Sequence, residues 1–352
     1  MTSRSPLDRP PILFVGNFLD IRTGTRAVSE DLSIHLAADG WPVLLTSRKR
    51  DRVARMIDML RAVWTNRNSF RVAVIDVYSG PAFRFAEIVA RMVRWLDKPY
   101  VLVLHGGNLP AFSARRAERV RNLLDHAASV TTPSRYLLET MSGYCDKLRL
   151  IPNPITLAAY PVRMPGPARP RLVWLRAFHR IYNPAMAVEA VKFLIREFPE
   201  IHLTMIGPDK NDGTLAAVRG LVRRLSLEEH VEIAGPVAKS EVPARLAEAD
   251  IFLNTTNVDN TPVSVLEAMA CGLCVVTTNV GGIPYIVQDG ADALLVRRDS
   301  PFEMADAIRN ILNDEWLARS LSKNARRRVM AFDWSRVLPE WEQLLARVEV
   351  AS

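Results

Sequence analysis

The sequence predicts an α/β protein made of two doubly wound parallel-sheet domains. Three observations predict it. Short apolar runs alternate with amphipathic stretches along most of the chain. The runs are apolar on both faces, as in strands covered by helices on either side. The length, 352 residues, suits two domains of about 150 to 180 residues rather than one.

The first half offers strands at residues 12–18, 42–46, 72–77, 100–104 and 129–132, with a short one at 148–151. The opening stretch MTSRSPLDRPPILFVGNFL reads as the first of these and not as a secretory signal, because Gly16, Asn17 and Asp20 interrupt its apolar run. The segment YPVRMPGPARP then places four prolines in the ten residues from Pro161, which predicts an extended linker over 161–170. The second half offers strands at 172–176, 202–206, 231–234, 251–254, 274–277 and 293–296. Trp334, Val337, Leu338, Trp341, Leu344, Leu345 and Val348 follow at helical spacing. The predicted organisation is a first domain over 1–160, a linker, a second domain over 171–330 and a terminal helix over 331–352 packed on the body, with a return to the first domain as one route. Sheets of this kind bind ligands at the carboxyl ends of their strands, so two of them facing each other predict a ligand in the cleft between.

Composition narrows the class. Hydrophobic residues at 49% and charged residues at 24% exclude a disordered or fibrous chain. No apolar run approaches the roughly 18 residues of a membrane span. Three cysteines do not form a disulfide framework at this length, so a cytoplasmic location is expected. Charge is uneven. The first 165 residues carry 24 Lys and Arg against 14 Asp and Glu, a net of +10; the remainder carries 22 against 24, a net of −2. A basic half predicts an anionic partner. Residues 48–71 hold eight Arg or Lys and two Asp, with Val53, Met56, Ile57, Leu60, Val63 and Trp64 at helical spacing. Two readings stay open for this stretch: a basic amphipathic helix on an anionic membrane surface, peripheral on the inner face, and a core-packed helix with a solvated face. Nucleic acid is not an expected partner, since the charge follows one domain and no recognition motif is present.

The chemistry concentrates in residues 254–296, NTTNVDNTPVSVLEAMACGLCVVTTNVGGIPYIVQDGADALLV. Pro262 suits the first turn of a helix, which makes Thr261–Ser264 its N-terminus and puts Glu267 within it. Unpaired N–H groups and the positive dipole end form an anion site there. Glu267 is spaced to accept hydrogen bonds from the paired hydroxyls of a sugar. The other reading of Glu267 is a capping or solvated residue on a surface helix. Cys271 and Cys274 are formally C-x-x-C, but they fall at a helix end and a strand start, where small buried hydrophobes are expected. No His/Cys spacing suggests zinc and no clustered Asp pair suggests magnesium, so no metal and no cofactor are expected.

This run resembles the donor-site motif of the retaining glycosyltransferases of family 4, group 1, whose two Rossmann-like domains form the GT-B fold. Asp259, Glu267, the segment Ala268–Gly272 and the segment Gly281–Pro284 carry the resemblance over about forty residues, and weaker echoes cover the rest. The resemblance implies a metal-independent retaining transfer of a sugar from a nucleotide-diphosphate-sugar to a hydroxyl of a glycan, lipid-linked or small-molecule acceptor. It implies that Glu267 binds the ribose hydroxyls, that Asp259 contacts the transferred sugar, and that Asn260, Thr261, Pro262, Val263 and Ser264 hold sugar and diphosphate. The stretch LVWLRAFHRIYNP looks like the family segment that carries an Arg and then a Lys facing the diphosphate. Arg176 fits the first; residues 181–183 occupy the place of the Lys, with Arg180 adjacent as a substitute. Gly24 in RTGTR implies a loop facing the diphosphate, and His105 in VLVLHGG implies a contact with the donor sugar near its anomeric carbon, against a structural histidine otherwise. Gly207 and Val237 resemble positions lining the nucleobase pocket. Two rival functions share the fold: a nucleotide-sugar epimerase, and a non-catalytic basic protein bound at a membrane surface.

Overall fold

The computed structural model describes residues 9, 11–18, 27–162 and 166–350. The chain divides into two compact units, with crossings at Pro154/Ile155 and Asp333/Trp334.

The first unit holds six strands: β1 (Ile12–Val15), β2 (Val43–Thr46), β3 (Val72–Val77), β4 (Tyr100–Leu104), β5 (Ser129–Thr132) and β6 (Leu148–Leu150). All pair in parallel, in the order β2-β1-β3-β4-β5-β6. The order reverses between β1 and β3, so the carboxyl ends of those two strands flank the crevice where such sheets take ligands. Every residue of β3 is buried, including Asp76. The helix Phe83–Trp95 covers one face and buries Phe83, Ala86, Val89, Ala90 and Val93, the three- and four-residue spacing of a single apolar stripe.

The terminal helix Trp334–Val350 clusters with this unit. Six of the seven apolar residues read from its spacing are buried, against Phe14, Leu32, Leu36 and Val74 among others; Leu338 is only partly so. Two tryptophans anchor the contact, and large aromatic rings dominate such packing. His35 stacks on Trp334 with ring centroids 3.7 Å apart, and Trp41 Nε1 donates to Glu342 Oε1 at 2.9 Å.

The second unit holds β7 (Arg171–Leu175), β8 (His202–Ile206), β9 (Val231–Gly235), β10 (Ile251–Asn254), β11 (Cys274–Thr278) and β12 (Leu294–Val296). They form another parallel sheet, in the order β12-β11-β10-β7-β8-β9. This is the doubly wound dinucleotide-fold order, with its reversal between β7 and β10. The passage into this unit comes earlier than residue 160. Ile155 and Tyr160 are 4% and 6% exposed within its core, so the chain is already committed before the proline-rich stretch begins. Residues 163–165 of the predicted linker lie outside the described residues. Among the described residues no helix is long and apolar enough to cross a membrane.

Candidate functional site

The reversal between β7 and β10 decides which residues meet. Arg176 follows β7 directly, and residues 255–262 follow β10. The Arg176 guanidinium forms an ion pair with Asp259 Oδ2 and lies 4.4 Å over the ring of Tyr182. Asp259 Oδ1 accepts from the Asn260 N–H at 2.8 Å. Gly281 and Gly282 support this loop from behind. A Cβ on either would overlap the carbonyl oxygen of Asp259 or Asn260, and Gly282 N–H donates to Asp259 O at 3.1 Å. The Gly-Gly pair is thus a seat for the acidic loop.

The helix Val263–Cys271 follows. Pro262 is its N-cap, one position before the first turn that the sequence predicts for it, and no side chain caps the N-terminus. The Ser264 Oγ beside that end is buried without a partner. Leading N–H groups and an idle hydroxyl make this end a fitting seat for an anion. From Ser264 to Cys271 the helix is buried throughout, so Glu267 is 3% exposed. The surface-helix reading of Glu267 therefore fails. A buried carboxylate needs partners, and Glu267 Oε1 has two: the Tyr160 hydroxyl donates to it at 2.8 Å, and Lys239 Nζ is in contact with it. Burial pushes the pKa of Arg176 down, while Tyr182 and Glu267 push it back up. A guanidinium stays protonated in either case.

Arg176, Asp259, Asn260, Thr261, Pro262, Val263, Ser264 and Glu267 thus belong to one constellation of the second unit. Asn260 and Thr261 are buried at 5% and 6% exposure. Gly207, just after β8, packs against the backbone of Arg176, whose carbonyl oxygen a Cβ would strike. Val237 is partly buried against the core beneath this helix. Arg180 stands apart from these residues. It is exposed on the turn Arg180–Tyr182, and its backbone N–H donates to Asp212 at 3.0 Å. No described contact joins its side chain to Arg176, Asp259 or Glu267. The turn is pinned from inside by Asn257 N–H, which donates to Ile181 O at 2.8 Å, so it is Tyr182 that faces Arg176. The second cation of the constellation is Lys239, two residues beyond Val237 in AGPVAK. Neither Lys239 nor Tyr160 carries a sequence signal toward Glu267: one lies in an ordinary loop, the other at the start of a proline-rich stretch.

In the first unit His105 follows β4 and is 8% exposed. Its Nε2 lies 2.9 Å from Asp76 Oδ1, and its ring stacks on Tyr78 with centroids 4.8 Å apart. The carboxylate fixes the ring and leaves Nδ1 as the nitrogen for other work. Gly24 lies outside the described residues. Cys145, Cys271 and Cys274 are free and buried. Burial, with Glu267 adding to it, pushes the Cys271 thiol up to about 12, so it is inert at neutral pH. Among the described residues no cluster of three or more His, Cys, Asp or Glu has the form of a metal site.

Comparison with known proteins covers the segment that holds most of this constellation. The family described as glycosyl transferases group 1 matches residues 168–328, the part that carries it. The chain is similar to the D-inositol 3-phosphate glycosyltransferase of Kineococcus radiotolerans, 28% identical over 232 residues that cover 59% of this chain and 53% of that protein. It is also similar to the N-acetyl-alpha-D-glucosaminyl L-malate synthase of Bacillus anthracis, 27% identical over 175 residues, 49% of this chain and 44% of that one. The chain thus spans about half the length of curated relatives it matches. Sucrose-phosphate synthase from Thermosynechococcus elongatus has the same fold, with a TM-score of 0.82, 19% identity, and coverage of 98% of this chain and 100% of that one. So does Anabaena HepE in complex with UDP-glucose, with a TM-score of 0.77, 16% identity, and coverage of 96% and 99%.

Proposed function

We propose that this chain, whose residues 168–328 match the glycosyl transferases group 1 family and which has the GT-B fold, moves a sugar from a nucleotide-diphosphate-sugar to an acceptor hydroxyl. One observation carries the proposal. At the switch point of the second sheet, a buried carboxylate held by Tyr160 and Lys239 shares a constellation with an uncapped helix N-terminus and the Arg176 cation. A nucleoside diphosphate has the matching parts: a diol for Glu267 and two phosphates for the amides and cations. Anabaena HepE, which shares the fold, has been seen with UDP and with UDP-glucose, which makes uridine the first nucleotide to test.

In the proposed reaction the departing diphosphate gains charge as the sugar becomes oxocarbenium-like. Arg176, Lys239 and the N–H groups of Val263 and Ser264 neutralise that charge, with no metal required. Asp259 contacts the sugar, and His105, aligned by Asp76, presents Nδ1 to it. The resemblance to retaining glycosyltransferases supplies the stereochemical part of the proposal: the acceptor attacks on the face the diphosphate leaves, the departing phosphate takes the acceptor's proton, and the anomeric configuration is retained. A thermal-shift panel of nucleotide-sugars tests the donor assignment: one of them is expected to raise the melting temperature by several degrees. A panel without any shift would count against it.

We place the protein in the cytoplasm, in keeping with its three free buried thiols. An acceptor at or near an anionic membrane is part of the same proposal. The helix Arg52–Thr65 buries Met59 and Val63, whereas Val53, Ile57 and Trp64 are 68%, 61% and 44% exposed. Trp64 stacks with Trp95, itself 67% exposed, at 5.9 Å between centroids, and Arg67 lies 4.2 Å over Trp64. Exposed tryptophans amid basic residues suit an anionic lipid surface. Flotation with anionic vesicles is expected to carry the protein upward at low salt and to release it at high salt. Sedimentation without the vesicles at low salt would remove this part.

A further inference from the structure

The first unit has a switch point of its own, between β1 and β3, and a cavity of about 290 Å³ opens there. Met59, Ile75, Phe85 and Ala86 give it apolar walls, and Asp76 and Arg55 add the charged groups. Asp76 is the residue that needs explaining. It is a carboxylate in an otherwise apolar buried strand and is 8% exposed. Its Oδ1 is well provided: His105 Nε2 lies at 2.9 Å, and the Ser29 hydroxyl donates at 2.5 Å. Its Oδ2 is buried with no donor. A Cβ at position 16 would collide with that oxygen, so Gly16 keeps the space on it clear. Asn17 lines the same cavity, and its Oδ1 is likewise buried without a partner. A buried acceptor without a donor is destabilising, and a ligand hydroxyl relieves it.

Size and polarity select the ligand. A dry cavity of about 150 Å³ already accepts a benzene ring, so this one has room for a ring with substituents. A polyol would strand hydroxyls against Met59, Ile75 and Phe85. Among the described residues a phosphate would find one cation, Arg55, whose Nε and Nη2 already donate to Lys49 O and Arg50 O at 2.8 and 3.0 Å. We propose that this cavity binds the acceptor by a compact apolar body, and that Asp76 Oδ2 accepts the hydrogen bond of its reacting hydroxyl. The acceptor is thus a phenol or alcohol with an apolar group beside the hydroxyl, not a polyhydroxylated or phosphorylated ring. The inference rests on the glycosyltransferase reading given above and deepens it.

The test is ligand-observed NMR on the full chain, with 4-methylphenol, toluene and myo-inositol as probes. UDP, GDP and ADP are titrated separately. Wild type is expected to bind 4-methylphenol saturably, more tightly than toluene, with no saturable binding of myo-inositol. Ala82 is exposed on the turn at the cavity rim, so Ala82→Trp plugs the cavity without entering the core. It is expected to weaken 4-methylphenol about tenfold or more while leaving nucleotide binding unchanged. Asp76→Asn is expected to erase the preference for 4-methylphenol over toluene. The inference is overturned by absence of saturable 4-methylphenol binding to wild type, by equal affinity in Ala82→Trp, by an undiminished preference in Asp76→Asn, or by preferential binding of myo-inositol. Absence of binding by all three nucleotides strikes the glycosyltransferase reading instead, and the 4-methylphenol results still decide the cavity.

Discussion

Arg176→Ala is expected to lower the turnover number for nucleotide-sugar consumption by about 100- to 1,000-fold, the usual cost of deleting one donor aimed at transition-state charge. The guanidinium is positioned for this work: it lies over the Tyr182 ring, is ion-paired to Asp259 and is anchored at the end of a central strand. Its interaction grows as the diphosphate gains charge, so kcat and kcat/KM are expected to fall together, with KM little changed. Arg176→Lys is expected to restore only part of the rate, since an ammonium reproduces neither the planar fork nor the stacking on Tyr182. Release of nucleoside diphosphate, measured at saturating donor, checks both variants. A melting curve close to wild type confirms the fold. A turnover number within about threefold of wild type would remove Arg176 from the mechanism.

Glu267→Gln is expected to weaken nucleotide-sugar binding by about 10- to 100-fold, the value of losing a charge-assisted hydrogen bond in a buried site. The substitution keeps the side-chain volume and the acceptor for the Tyr160 hydroxyl, so packing of the helix Val263–Cys271 should survive. It removes the charge that Lys239 meets. The same replacement at a solvated surface position would cost almost nothing, so the magnitude reports on the role. Titration calorimetry against the donor selected by the thermal-shift panel measures it directly.

Much of this architecture is legible in the chain. Most of the strands are legible because they are apolar runs bounded by breakers, and β3, with a single polar residue, is the clearest of them. The terminal helix is legible because its tryptophans and leucines keep a period of 3.6. The constellation around Glu267 is legible where it is local: Asp259, Pro262, Ser264 and Glu267 are close in sequence and share one loop and one helix. The contacts that come from afar leave no such trace. Tyr160 is 107 residues from Glu267 and Lys239 is 28, and neither the proline-rich stretch nor the AGPVAK loop has a periodicity that aims its side chain. Arg180 stands apart from the constellation for the opposite reason. It adjoins the expected place of a lysine, but the turn is fixed by Asn257 and presents Tyr182 inward instead. The Asp76–His105 pair is half visible: His105 follows a buried strand and precedes two glycines, while the carboxylate that holds it comes from the neighbouring strand.

The central claim is that the Glu267 carboxylate grips the sugar diol of a nucleotide. A thermodynamic cycle tests it: wild type and Glu267→Gln are each titrated with a nucleoside diphosphate and with its 2′,3′-dideoxy analogue. The account predicts that removing the two hydroxyls weakens binding to wild type by about tenfold or more and changes binding to Glu267→Gln far less. Equal losses in the two proteins would show that the carboxylate and the diol do not meet, and would contradict the account.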